Sequence, residues 1–161
     1  MTTLSTFSIR RLAVATGFVV AAAFASPAFA DEVSTYVANG AAIGGTDPVA
    51  YHTMGKPVQG SDQFTTEHDG VTWKFSSAAN RDAFAADPEK YAPAYGGFCA
   101  TGTSFGKKIP IDPQHFKIVD GTLYLNSSQG AHDRFLSDEP GTISKANTNW
   151  QNIRTTPADQ L

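Results

Sequence analysis

"FTTEHDGVTWKF", Phe64 to Phe75, carries the first architectural signal in this chain. At its centre lies Asp69-Gly70, which suits a two-residue type I′ turn because both central positions need positive φ. Folding about that pair sets Phe64 opposite Phe75, Thr66 opposite Trp73 and His68 opposite Val71 on one face. Thr65, Glu67, Thr72 and Lys74 take the other face. One side is apolar and needs cover. "FKIVDGTLYLN", Phe116 to Asn126, repeats the device around Asp120-Gly121 and gathers Phe116, Ile118, Leu123 and Leu125 on a common face. The two hairpins resemble each other without constituting a repeat array.

Short helices supply the cover. Ser77 is placed to cap a helix carrying Ala79, Ala83 and Phe84 at helical spacing, and Pro88 marks a break or a new start. "AHDRFL" gives a turn with Ala131 and Phe135, and "TISKANTNWQNI" sets Ile143, Ala146, Trp150 and Ile153 close to one stripe. Hairpins alternating with short helices, without a long βαβ crossover, predict a small single α+β domain. The Asp-Pro pairs at Asp47 and Asp112 read as turn or helix-start devices.

Residues 1–30 read as a secretory signal peptide. Arg10 and Arg11 precede the apolar run Leu12 to Phe24, and Ala28-Phe29-Ala30 gives a small-x-small cleavage site before Asp31. The expectation is an exported, periplasmic protein, monomeric and not embedded in the membrane, with the general secretory route favoured over the twin-arginine one. About 130 residues then remain, a common size for one domain that needs no disulfide staples. Residues 31–45 read as a loose lead-in, 46–153 as the domain and 154–161 as a polar tail. A net charge of −3 and no Lys/Arg cluster beyond Lys107-Lys108 exclude a nucleic-acid partner.

The single cysteine, Cys99, lies in "YGGFCATGTSFGKK". An unpaired cysteine in an exported chain implies a free thiol, an intermolecular bridge or a metal ligand. Gly96, Gly97, Gly102 and Gly106 free the backbone to turn amides toward the sulfur. With Lys107 and Lys108 folded back, such donors would favour a thiolate. The alternative is that Cys99 is a small buried hydrophobe between Phe98 and Ala100. A thiolate with imidazole or thioether neighbours suits copper(I) or another soft metal, and His52, Met54 and His115 are the candidate co-ligands. His52 and Met54 alternate, so an extended segment would turn both the same way. His68 abuts a turn and His132 reads as lying on an exposed helix face. Neither a zinc-type spacing, a nucleophile elbow nor a phosphate loop occurs, so an enzyme is the less favoured reading.

Several stretches together resemble the exported YHS-domain proteins, whose relatives include TRASH-like modules: "GGTDPVAYHTMGKPVQG", "WKFSSAANRDAFAADPEKYAPAYGGFCA", "IDP" and "IVDGTLYLN". The resemblance runs from about Ala41 to Trp150. It implies a small α+β domain of the kind found beside copper- and heavy-metal-transporting ATPases and oxygenase subunits, with a metal-binding role. The metal-associated relatives begin Asp-Pro-Val-Cys-Gly-Met and later read Phe-Cys-Ser with a second cysteine four positions on. Here those places hold Asp47 to His52, then Phe75, Ser76 and Asn80, so the thiols are replaced. The exported subfamily is described as including selenoproteins. Selenocysteine at the Gly-Gly-Phe-Cys stretch in some relatives would make Cys99 a redox or soft-metal centre.

Three functions follow. The first is soft-metal binding through Cys99 with His52 or Met54, in a loop built by Tyr95, Gly96, Gly97 and Phe98. The second is thiol redox chemistry at Cys99 with a small oxidant and an outside thiol. The third is a non-catalytic module in which Tyr51, Tyr91, Tyr95 and Phe98 line a pocket for an organic ligand or a protein partner.

Overall fold

The computed structural model describes residues 33–161, so the expected signal segment lies outside the described residues. A short ribbon, β1 (Val37–Ala38) with β2 (Ala41–Ala42), leads through a 3-10 turn (Ile43–Gly45) into α1 (Pro48–Met54). Then come β3 (Ser61–His68), β4 (Val71–Phe75), α2 (Ala78–Ala86) and α3 (Pro88–Tyr91). A second 3-10 turn (Ala94–Gly97) opens α4 (Ala100–Ser104), β5 (Asp112–Val119), β6 (Thr122–Asn126), α5 (Gln129–Ser137) and α6 (Glu139–Ile153). Three two-stranded antiparallel sheets among short helices make this a small α+β fold. Residues 33–45 are not a loose lead-in: Ala41, Ala42 and Ile43 are fully buried, because the ribbon packs its small residues into the core.

Both hairpins turn where the sequence places them, with positive φ at Asp69, Gly70, Asp120 and Gly121. Thr66 pairs with Trp73, His68 with Val71, Phe116 with Leu125 and Ile118 with Leu123. The expected partner of Phe75 does not hold: Ser61 takes that place, because the register slips between Ser61 and Thr65. The same slip recurs between Asp112 and Phe116, and such bulges bend the strand and re-aim its side chains.

That shared irregularity belongs to a larger repetition. β3, β4 and α2 are followed 51 residues later (61 to 112, 71 to 122, 78 to 129) by β5, β6 and α5, with equal lengths. Ser77 caps α2 through the Asn80 amide, and Ser128 caps α5 through the Ala131 amide. Asp87 and Asp138 then start α3 and α6 in the same way, and Phe84 and Phe135 are both fully buried. Upstream, Ile43-Gly44-Gly45 and Tyr95-Gly96-Gly97 both run through positive φ. The glycines are needed in the second turn, since a Cβ on Gly96 would strike the Ser34 carbonyl and one on Gly97 the Ile43 side chain. The chain is therefore two copies of one αββα unit.

The copies share a core. Val71, Trp73, Phe75 and Phe84 of the first pack with Leu123 and Leu125 of the second, while Tyr124, on the opposite face of β6, joins Tyr95, Phe135 and Ala146. Buried on both faces, β6 holds the two halves together.

Candidate functional site

Cys99 is the N-cap of α4 and only 1% exposed. Its Sγ accepts the Gly102 amide at 3.3 Å and lies 3.7 Å from Asn126 Oδ1. Asn126 Oδ1 also accepts the Thr101 amide at 3.3 Å and the Thr101 hydroxyl at 2.9 Å, which fixes the orientation of the amide. The Nδ2 of this fully buried Asn126 has no partner. The remaining glycine amides do not converge on sulfur. Nor does Lys108: the residue is 5% exposed, and its ammonium donates to the Val33, Arg154 and Thr156 carbonyls at 2.6, 2.8 and 2.7 Å. It lies 5.4 Å from each of the Phe98 and Trp150 ring centroids, and burial pushes its pKa down from the ordinary lysine value. Three acceptors take all three ammonium hydrogens, so Lys108 is a tie between the ends of the described chain. The expected thiolate-stabilising role falls away with it, and the polar tail is anchored as far as Thr156.

The proposed co-ligands lie on separate elements. His52 and Met54 sit on a helix rather than an extended segment, so two positions apart they diverge. The His52 ring packs edge-on against Tyr91, and Met54 is 54% exposed. Burial, then Lys90, holds the His52 pKa below the ordinary histidine value. His115, on β5, lies 3.6 Å from Asp112 and faces His132 with ring centroids 6.1 Å apart. His132 is half-buried, not on an exposed face, and its Nδ1 is buried without a partner. Burial first, then His115, lowers its pKa, so the ring is neutral at pH 7. Among the described residues no group of three or more His, Cys, Asp or Glu is arranged to hold a metal ion. No helix among them is long and apolar enough to cross a membrane.

Tyr51, Tyr95 and Phe98 are core residues, and Tyr51 donates its hydroxyl to the Pro113 carbonyl at 3.0 Å. A cleft of about 370 Å³ opens elsewhere, lined among others by His68, Trp73, Glu89, Pro93, Trp150 and Arg154. It brings together the chain's only two tryptophans. Trp73 is 3% exposed, and its indole Nε1–H has no partner. A tryptophan in a hairpin reads as core, and this one also stacks on Phe84, so the sequence held no sign that its N–H was left over.

A duplicated α+β module with an open cleft defines a class of small domain rather than a reaction. The YHS domain model matches residues 49–95, and the chain carries a YHS domain there. The match covers the first copy and ends before Cys99. No curated protein and no solved structure matches the chain.

The metal-binding role of YHS domains can be tested on the first copy. At the places where the metal-associated relatives carry thiols stand Ala50, which offers no ligand atom, and the pair Ser76 and Asn80. Both donate to Asp47 Oδ2, Ser76 Oγ at 2.6 Å and Asn80 Nδ2 at 2.7 Å. The Ser76 amide joins them at 2.8 Å, while Asp47 Oδ1 accepts the Val49 and Ala50 amides at 2.9 and 3.2 Å. Serine and asparagine engaged as donors do not fit a soft metal. A hydrogen-bond lock on a fully buried carboxylate stands in its place.

Proposed function

We propose that this protein is a non-catalytic module that binds a small planar organic molecule in the cleft between Trp73 and Trp150. The observation that carries the reading is Trp73 itself, which lines that cleft and whose buried indole Nε1–H has no partner. An orphaned buried donor costs about 1–3 kcal/mol, which a ligand carbonyl would recover, and indole surfaces suit a flat, weakly polar body. The volume lies within the range of about 300–1,000 Å³ usual for such sites. The test is a ¹⁵N–¹H NMR titration with benzamide and nicotinamide. The Trp73 indole resonance, assigned by a Trp150→Phe variant, should shift in a saturable way; two unmoved indole resonances would remove the reading.

A second reading keeps soft-metal or redox chemistry at Cys99, favoured by the Gly102 amide that donates to its sulfur. His52, Met54 and His115 would then have to approach by rearrangement. Copper(I) competition titrations of wild type and Cys99→Ser decide the metal branch, with equal affinities removing it. Dimedone trapping after peroxide treatment decides the redox branch. We further propose export to the periplasm as a monomer, with cleavage between Ala30 and Asp31; N-terminal sequencing and mass measurement of the exported protein test both.

A further inference from the structure

The two copies differ most in chemistry at one spot. In the first, the positions corresponding to His115 and His132 are Phe64 and Arg81, on β3 and α2. In the second, β5 bulges around His115 and α5 begins beside it, so the duplication brings two imidazoles together where its sister has none. Ring centroids 6.1 Å apart allow one nitrogen from each ring to come within about 4 Å of the other. That is the span of a cation bound by both at about 2.0–2.1 Å. His132 Nδ1 is buried with no hydrogen-bond partner, a lone pair that nothing in the fold uses.

Carboxylates stand close to the pair. Asp112 Oδ2 lies 3.6 Å from His115 Nε2, and Asp133, Glu139 and Lys117 act on His132 electrostatically. The one ammonium among these groups, that of Lys117, is itself 3.9 Å from Glu139. We propose that His115 and His132 form a two-imidazole site for a borderline divalent transition-metal ion, with Asp112 beside it and water completing the coordination. Imidazole pairs suit copper(II), nickel and zinc more than calcium or magnesium, and among the divalent ions copper(II) is held most tightly. The site shares no residue with the tryptophan cleft and does not depend on Cys99.

The test uses copper(II) sulfate with the full chain, read by calorimetry and by electron paramagnetic resonance. Wild type should take one equivalent with nitrogen hyperfine structure from two imidazoles. A variant combining His115→Phe with His132→Arg takes the residues the first copy uses at those positions. It should bind at least tenfold more weakly and lose that signature, whereas His52→Ala and His68→Ala should bind as wild type does. Unchanged affinity and spectrum in the double variant would overturn the proposal. Should that variant fold poorly, wild type supplies the readout: substoichiometric copper(II) should broaden the His115 and His132 resonances before any others. Selective broadening at His52 or His68 would overturn it.

Discussion

Asp47 and Cys99 occupy corresponding positions in the two copies, each capping the helix after a left-handed turn that ends in Gly-Gly. The amide of each donates across to the strand-entry segment, Asp47 to the Val58 carbonyl at 2.9 Å and Cys99 to the Ile109 carbonyl at 3.0 Å. Their side chains have diverged. Asp47 accepts five hydrogen bonds, whereas Cys99 Sγ accepts one amide and approaches one amide oxygen. The lone thiol is thus a cap in a repeated fold before it is anything else.

Asp47→Ala should cost about 4 kcal/mol, since it strands the half-buried Ser76 and Asn80 donors together with two buried helix amides. Urea unfolding would show a lowered midpoint at unchanged slope. A loss under about 1 kcal/mol would mean that the lock contributes little.

At Cys99, serine keeps a capping oxygen and alanine does not, so Cys99→Ala should lose about 1 kcal/mol more than Cys99→Ser. Iodoacetamide should label the native thiol only through opening of the fold, with labelling accelerating sharply in urea. Native labelling at the rate of a free thiol would contradict the burial seen here.

Lys108→Met keeps an aliphatic stem between Phe98 and Trp150 but removes the three hydrogen bonds to the chain ends. A loss of about 2–3 kcal/mol is expected. Hydrogen exchange should quicken first around Thr156, while the hairpins stay protected. Uniform protection throughout would show that the tie is dispensable.

Alkaline pH should unfold the protein through its buried tyrosines. Burial, then Asp112, raises the pKa of Tyr51; burial, then Tyr124, raises that of Tyr95. The native state therefore keeps two protons that the unfolded chain releases near pH 10. Their contribution is complete below pH 10 and falls above it by about 1.4 kcal/mol per pH unit for each group. Urea midpoints at pH 8, 10 and 11 check this, and a midpoint constant to pH 11 would contradict it.

The hairpin turns, the Ser77 cap and the apolar stripes were legible because each is local: Asp-Gly fixes a turn, and burial follows from periodicity. The bulges were not, since they depend on which residue a bent strand presents to its neighbour. The repetition was hidden because the copies share φ angles and caps more than residues, with Ile43 matching Tyr95 and Asp47 matching Cys99. The site was the least legible part. Trp73 and Trp150 are 77 positions apart (73 to 150), and they meet in one cleft because the C-terminal end of α6 comes to line it beside the first hairpin.

The most direct measurement is a benzamide titration followed by tryptophan indole NMR in wild type, Cys99→Ser and Trp73→Phe. A cleft-binding module predicts that Cys99→Ser binds as wild type does and Trp73→Phe binds at least tenfold more weakly. Binding that survives Trp73→Phe, or vanishes with Cys99→Ser, would contradict the account.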